Sequence, residues 1–583
     1  MKTNWNLDVI YTGLDDPKYK ADLEAFKELR KKFKDYVDNS ENDKASVRVK
    51  NIIAMEEEIN RLLIGMLYYV ELKESVDTAD GDLMAEESKL MGLYSQGVAT
   101  DVKAEKFIGS IEDPEVIFKE YPELKAYEFY IRECRRKLLH TMSEEEEAMA
   151  ASMDNFAGSA WSNLQSYLTS NLKVDYDGKE ITLSEVRNLA YDKDQAVRKK
   201  AYEAEIKAYD KIAPSVAYAL NNIKGQVNML SAKKKFESPL HQALDASRME
   251  KATLDALMEA VREYLPVFRK YLKKKADILG HKNGLPWYDL FAPIGKIDRK
   301  YTVEEAKDYL VNTFNGLTPE MGDMMREAFE NEWIDFYPAN GKVGGAFCEA
   351  VPALKQSRIL TNFDGSFSAV DTLAHELGHA FHNKQVFSEP ILLQDYPMPV
   401  AETASTFNEV FLCNAAIDEA KDEDEKMALL DANLIENCQC VVDIYCRYLF
   451  ETKVFELSKE KFLMAEDLDR IMLECQEASY GDGLDPEYKN KGMWICKSHY
   501  YSSGLSFYNF PYTFGNLFAE GLYALFKEQG EAFIPKYKEM LRTTTEHTIE
   551  EDGEMMGINL RDKAFWEKSL EQIKEQIDKF AAL

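Results

Sequence analysis

Apolar positions recur at helical spacing along most of this chain. In 17–36, Leu23, Phe26, Leu29, Phe33 and Tyr36 fall on one stripe, the i, i+3, i+4 pattern of an amphipathic helix. Segments 45–75, 78–98 and 115–138 repeat it. Ser143, followed by the acidic run 144–147, predicts a capped helix start with its charges in solvent. Alternating patterns are few. Residues 172–183 alternate around Asp177-Gly178 and predict a β-hairpin. Segments 341–348 and 357–362 read as strands, and 283–290 as a turn that redirects the chain. The expected fold is therefore mainly α with a small β component. No repeat, low-complexity linker or Pro-rich hinge marks a boundary. A helical N-terminal region carrying the hairpin is placed at 1–195 and a catalytic region at 196–583.

Charge narrows the partners. With 103 acidic against 72 basic residues the net charge is -31, which argues against nucleic acid and against anionic membrane surfaces. The N-terminus lacks an apolar signal-like run, and no uncharged apolar window of about 18 residues predicts a spanning helix. The eight cysteines are scattered from Cys134 to Cys496. Cys438 and Cys440 stand too close for the usual zinc pair, so the thiols read as reduced and buried, and the location as cytoplasmic. The lysine runs at 233–235 and 273–275 read as solvated faces.

The candidate chemistry lies in His375-Glu376-Leu377-Gly378-His379. Histidine is scarce, 8 in 583 residues, yet His375, His379 and His382 fall together. Two imidazoles four residues apart can meet one ion from a single helix face, and the carboxylate between them suits a base. Over 370–383 the side opposite the histidines is apolar: Val370, Leu373, Ala374, Leu377, Ala380 and Phe381. Gly378 would let another segment approach closely. A catalytic zinc needs a third protein ligand and one open position. The three-histidine pattern fails because His382 and Gln385 occupy its Gly and His positions. A carboxylate downstream is then expected, and 397–412 reads as a helix with Pro399 in its first turn and Glu402, Ser405, Thr406 and Glu409 on one polar face. Glu402 is the candidate ligand. Glu409 is placed to hold a histidine ring, and His382 to stand behind the ligands or at the rim.

These residues resemble the thimet oligopeptidase (M3) peptidase family, and within it the oligoendopeptidase F branch. The likeness is carried by Asn362-Phe363-Asp364-Gly365-Ser366, the His-Glu-Leu-Gly-His helix and Ala401-Glu402-Thr403-Ala404-Ser405-Thr406-Phe407-Asn408-Glu409. Trp5-Asn6-Leu7-Asp8 and Gly344-Gly345-Ala346-Phe347 fit as well. The resemblance implies a helical bowl or clamshell closing over a deep channel, with one Zn²⁺ at its bottom held by His375, His379 and Glu402. The segment from Trp494 to Gly515 resembles the family's histidine and tyrosine cluster, which assigns His499, Tyr512 and Tyr508 to the reacting carbonyl. Glu376 is expected to act as the base, and Gly344, Gly345 and Ala346 as an edge strand that pairs with substrate. The expected activity is hydrolysis of internal bonds in short unfolded peptides. Removal of C-terminal residues or dipeptides, or peptide binding around a structural metal, are the rival readings.

Overall fold

The structure is a computed structural model that describes residues 2–297 and 299–583. Helices dominate, as the spacing predicts. The first amphipathic segment forms Pro17–Asn39, capped by Asp16, and the next two form Ala45–Val76 and Gly81–Gly109. The expected helix at 115–138 is broken. It becomes Glu115–Glu120, a 3₁₀ turn Pro122–Tyr127 and Glu128–Leu139, because Pro122 cannot continue the hydrogen-bond ladder it follows. Ser143 caps Glu144–Asp154 with a reciprocal bond to Glu146.

Apolar residues gather into two cores. One joins residues from Trp5 to Cys134 with Val351 and Leu360. The other runs from Leu172 to Phe580 and includes the apolar back of the motif helix. In the larger core the C-terminal helix Lys563–Ala582 packs on Lys251–Ile278 and Phe510–Gln529. Among the described residues no helix is long and apolar enough to cross a membrane.

The strands form two small sheets. Lys173–Tyr176 and Lys179–Thr182 make the expected hairpin, with Val174 opposite Ile181. The second sheet places Gln356–Leu360 between Ile334–Asp335, parallel to it, and Phe347–Val351, antiparallel. Phe347–Val351 is thus an edge strand. Gly344, Gly345 and Ala346 lie just before it rather than within it. Gly345 has a φ of 80°, and Asn362 Nδ2 donates to the carbonyls of Val343 and Gly345 at 3.0 and 2.9 Å. Those bonds hold the glycines in a turn that an extended strand excludes.

The lysine run at 273–275 also departs from expectation. Lys273 is solvated beside Asp482, but Lys275 is fully buried and paired with Asp431 at 3.0 Å. Its position follows the helix face that packs on the C-terminal helix, not the charge of the run.

Candidate active site

The motif helix spans Phe367–Val386 and is capped by Ser366, whose Oγ accepts from the Ala369 N–H. It packs against Thr403–Asp418. Gly378 makes that packing possible: a Cβ there would lie 2.6 Å from the Ala404 carbonyl oxygen and from Ser405 Cα. Asn408 Nδ2 donates to the Ala374 carbonyl at 2.9 Å, which ties the two helices together inside the core. The expected helix at 397–412 is two pieces, Met398–Ala401 and Thr403–Asp418, meeting at Glu402 with φ -90° and ψ 5°. That break turns the Glu402 carboxylate toward the histidines.

Three ligand atoms converge. The Nε2 atoms of His375 and His379 are 3.2 Å apart. Glu402 Oε2 is 3.3 Å from each. A tetrahedral zinc with bonds of about 2.0–2.1 Å spaces its ligand atoms about 3.3–3.4 Å apart, so the triangle fits one face of that tetrahedron. The donor set of two imidazoles and a carboxylate leaves the fourth position open, as in catalytic rather than structural sites. Ser405 Oγ donates to Glu402 Oε2 at 2.8 Å and steadies it. Glu409 Oε1 lies 2.9 Å from His375 Nδ1. A proton on Nδ1, donated to Glu409, leaves the Nε2 lone pair aimed at the metal position.

The electrostatics favour positive charge at that position. Burial works against a charged His375, but Glu402 and Glu409 outweigh it and push the imidazole up to about 11. Glu402 is held well below the usual carboxylate range: burial opposes this, and the bonds from His375 and His379 overcome it. Burial raises Glu376, which is only 5% exposed, against the charges of His375 and His379. A carboxylate raised toward neutrality is suited to taking and returning a proton.

These groups line a groove of about 540 Å³ together with Ala346, Phe347, Glu349 and Tyr396. The edge strand Phe347–Val351 therefore borders the motif helix, with its outer backbone unpaired in the sheet.

The opposite wall is built differently. Helix Phe510–Gln529 begins with Pro511 in its first turn, where a missing N–H costs nothing. It runs against the ligand segment: a Cβ on Gly515 would meet Glu402 Cβ at 3.5 Å. Tyr512 is 37% exposed. Burial, then Tyr508, then the Glu402 charge push its phenol above the ordinary value. Its ring meets that of Tyr508 edge-on at 5.5 Å. The structure thus brings Tyr512 and Tyr508 toward Glu402. It does not bring His499 into contact with the ligand cluster. That ring lies 4.6 Å from Tyr500, its Nε2 is buried without a partner, and burial, then Arg447, Lys497 and Lys224, push it down to about 3. Tyr500, Tyr501 and Phe510 are core residues, as an aromatic wall requires.

His382 is fully buried, so it is not a rim residue. Its Nε2 bonds the Leu541 carbonyl at 3.0 Å and Thr544 Oγ1 at 2.8 Å, and its ring stacks on Tyr396 at 4.2 Å. It fastens the motif helix to Phe533–Thr543.

A sequence model of peptidase family M3 matches residues 188–572. The chain belongs to peptidase family M3. A second model, Oligopeptidase F, matches residues 112–173. Oligopeptidase PepF of Bacillus subtilis is 26% identical over 594 residues, covering 99% of this chain and 87% of that protein. Among solved structures, one from Chlamydophila abortus is similar with a TM-score of 0.86 at 20% identity, covering 100% of this chain and 98% of that one. Oligoendopeptidase-F from Enterococcus faecium gives a TM-score of 0.70 at 19% identity, covering 96% and 97%. These likenesses show the fold, and the family makes the chain a metallopeptidase.

In this M3 peptidase some site residues escape a reading of the sequence. Asp371 stands one turn before His375 on the same helix and is buried, with its carboxyl pushed far up by burial and then by Glu409. Its i−4 spacing from His375 was the available signal. Tyr396 and Glu349 line the groove with no local pattern to announce them.

Proposed function

We propose that the protein is a zinc-dependent endopeptidase that cuts internal bonds of short, unfolded oligopeptides. The observation that carries this is the triangle of His375, His379 and Glu402, set beside Glu376 at the foot of an open-edged strand. In this reading those three side chains hold one Zn²⁺ per chain. A bound zinc would supply Lewis acidity, lowering the pKa of water and polarising the scissile carbonyl.

The chain's own residues do the rest. An extended peptide pairs with the unpaired edge of Phe347–Val351, and the turn at Gly344, Gly345 and Ala346 leaves room for it to enter. Glu376 accepts the proton of the attacking water on its carboxylate and returns it to the leaving amine nitrogen. Tyr512, with Tyr508 behind it, donates a hydrogen bond to the oxygen that becomes negative. His499 joins that wall when it reaches the groove. Glu409 fixes the His375 ring. The N-terminal region, 1–195, covers the groove as a lid on the catalytic region, 196–583, which keeps folded proteins out. The eight unpaired cysteines support a cytoplasmic setting.

The test is mass spectrometry of a mixed peptide library, with and without a chelator. Internal cuts in short peptides, lost on chelation and restored by zinc, are expected. Trimming from the C-terminus alone would favour the carboxypeptidase reading, and no cleavage with metal bound would favour a binding module.

A further inference from the structure

A second cavity, of about 420 Å³, opens between the hairpin side of the catalytic region and the segment that carries His499. Cationic side chains reach it from distant parts of the chain: Arg187, Arg198 and Lys497 line it. Arg198 is already committed. It is buried, with Nε on Asp289 at 2.7 Å and Nη1 on the Asp192 carbonyl at 2.6 Å. Arg187 is only loosely held, 3.5 Å from Glu205 and 41% exposed. Lys497 makes no hydrogen bond or ion pair among the described residues.

The acids nearby do not serve Lys497. Asp443 pairs with Arg447 and accepts the Tyr480 hydroxyl at 3.0 Å. Glu205 accepts the Tyr209 hydroxyl at 2.5 Å, and burial shifts it toward its neutral form. Glu436 is raised likewise, by burial and then by the charge of Glu409. Arg447 adds a further cation, with its Nε buried and unpartnered. Burial, then Arg447, makes it costly for Lys497 to carry its charge. An unpaired buried ammonium is destabilising, and an anion supplied from outside would complete it.

The cavity belongs to the catalytic groove by position. Lys497 is two residues before His499 in the chain. Glu436, on the cavity wall, feels Glu409, which bonds His375. Thr513 Oγ1 donates to the Cys440 carbonyl at 2.7 Å, which joins the tyrosine helix to the turn beside Gln439 and Asp443. The remaining walls include Trp287, Tyr191 and Phe291, apolar surface suited to a peptide side chain.

We propose that this cavity anchors the free C-terminal carboxylate of the peptide substrate on Lys497, with Arg187 as its second cation. The enzyme then favours peptides with an unblocked C-terminus whose end reaches the cavity. This rests on the peptidase reading above and adds what limits the substrate at one end.

The experiment uses the zinc-loaded full chain and one quenched-fluorescence peptide, made with a free C-terminal carboxylate and as its C-terminal amide. The expected result is at least about a tenfold preference in kcat/KM for the acid, expressed mainly in KM, since truncating one partner of a buried charge pair has effects of this size or larger. Lys497→Met should collapse the acid-to-amide ratio toward one, and Lys497→Arg should retain most of it. Equal kcat/KM for acid and amide in the native enzyme would overturn the anchor while leaving the peptidase reading intact. Hydrolysis of neither peptide would instead overturn the peptidase reading. The native comparison decides the matter even if Lys497→Met does not fold. A folded Lys497→Met that keeps the full preference would remove Lys497 from the role.

Discussion

The two walls of the groove differ in how they are built. The metal wall stands on two packed helices, with Gly378 against the Ala404 carbonyl and Asn408 bonded to Ala374. Each of its side chains has a second residue holding it: Glu409 holds His375, and Ser405 holds Glu402. The tyrosine wall follows an irregular stretch, 502–509, in which Gly504 is open to solvent and Phe507 has a φ of 55°. Such a conformation costs a non-glycine residue about 1–2 kcal/mol. His499 there has a buried nitrogen with no partner. One wall is assembled before substrate arrives, and the other has polar groups waiting for one.

Substitutions can break or sharpen that contrast. The largest effect is expected for Glu402→Ala. Zinc should no longer be retained at one per chain by elemental analysis, and hydrolysis should fall by more than the ~10–100-fold seen when only an outer partner of a ligand is lost. Tight stoichiometric zinc in that variant would mean that another group is the third ligand. Tyr512→Phe should lower kcat by about 10²–10³, as loss of one oxyanion donor does, with zinc content unchanged. A fall in zinc instead would show that the two walls are not separable. Glu409→Ala should weaken zinc affinity or activity by about 10–100-fold in a competition with a chelator. The smallest effect on chemistry is expected from Gly378→Ala. Its Cβ must be accommodated against backbone, so thermal or denaturant unfolding should show a loss of about 1–3 kcal/mol. No change in stability would mean that the helices can part without cost.

The same contrast governs what the sequence makes legible. His375, Glu376 and His379 are written within one helical turn, and Gly378 announces the close approach that the structure contains. Glu402 follows from the need for a third ligand. The break in its helix does not, because it arises from the carboxylate reaching across to two imidazoles. His382 shares their stripe by spacing, yet neighbours from 541 and 544 claim it for the core. The glycines at 344 and 345 read as strand until Asn362, a residue on another segment, pins them in a turn. Lys275 reads as solvated until Asp431 is brought to it. The cavity at Lys497 is least legible of all, since its walls come from parts of the chain as far apart as Arg187 and Lys497. Helical spacing is local information; pairings between distant segments are decided by packing.

The central claim is that Glu376 works on water while three other side chains hold the metal. Glu376→Gln tests it most directly, with zinc content and peptide hydrolysis measured on the same preparation. The account predicts one zinc per chain and hydrolysis reduced by about 10²–10⁴-fold, the usual contribution of a general base. Full zinc with undiminished hydrolysis would contradict it.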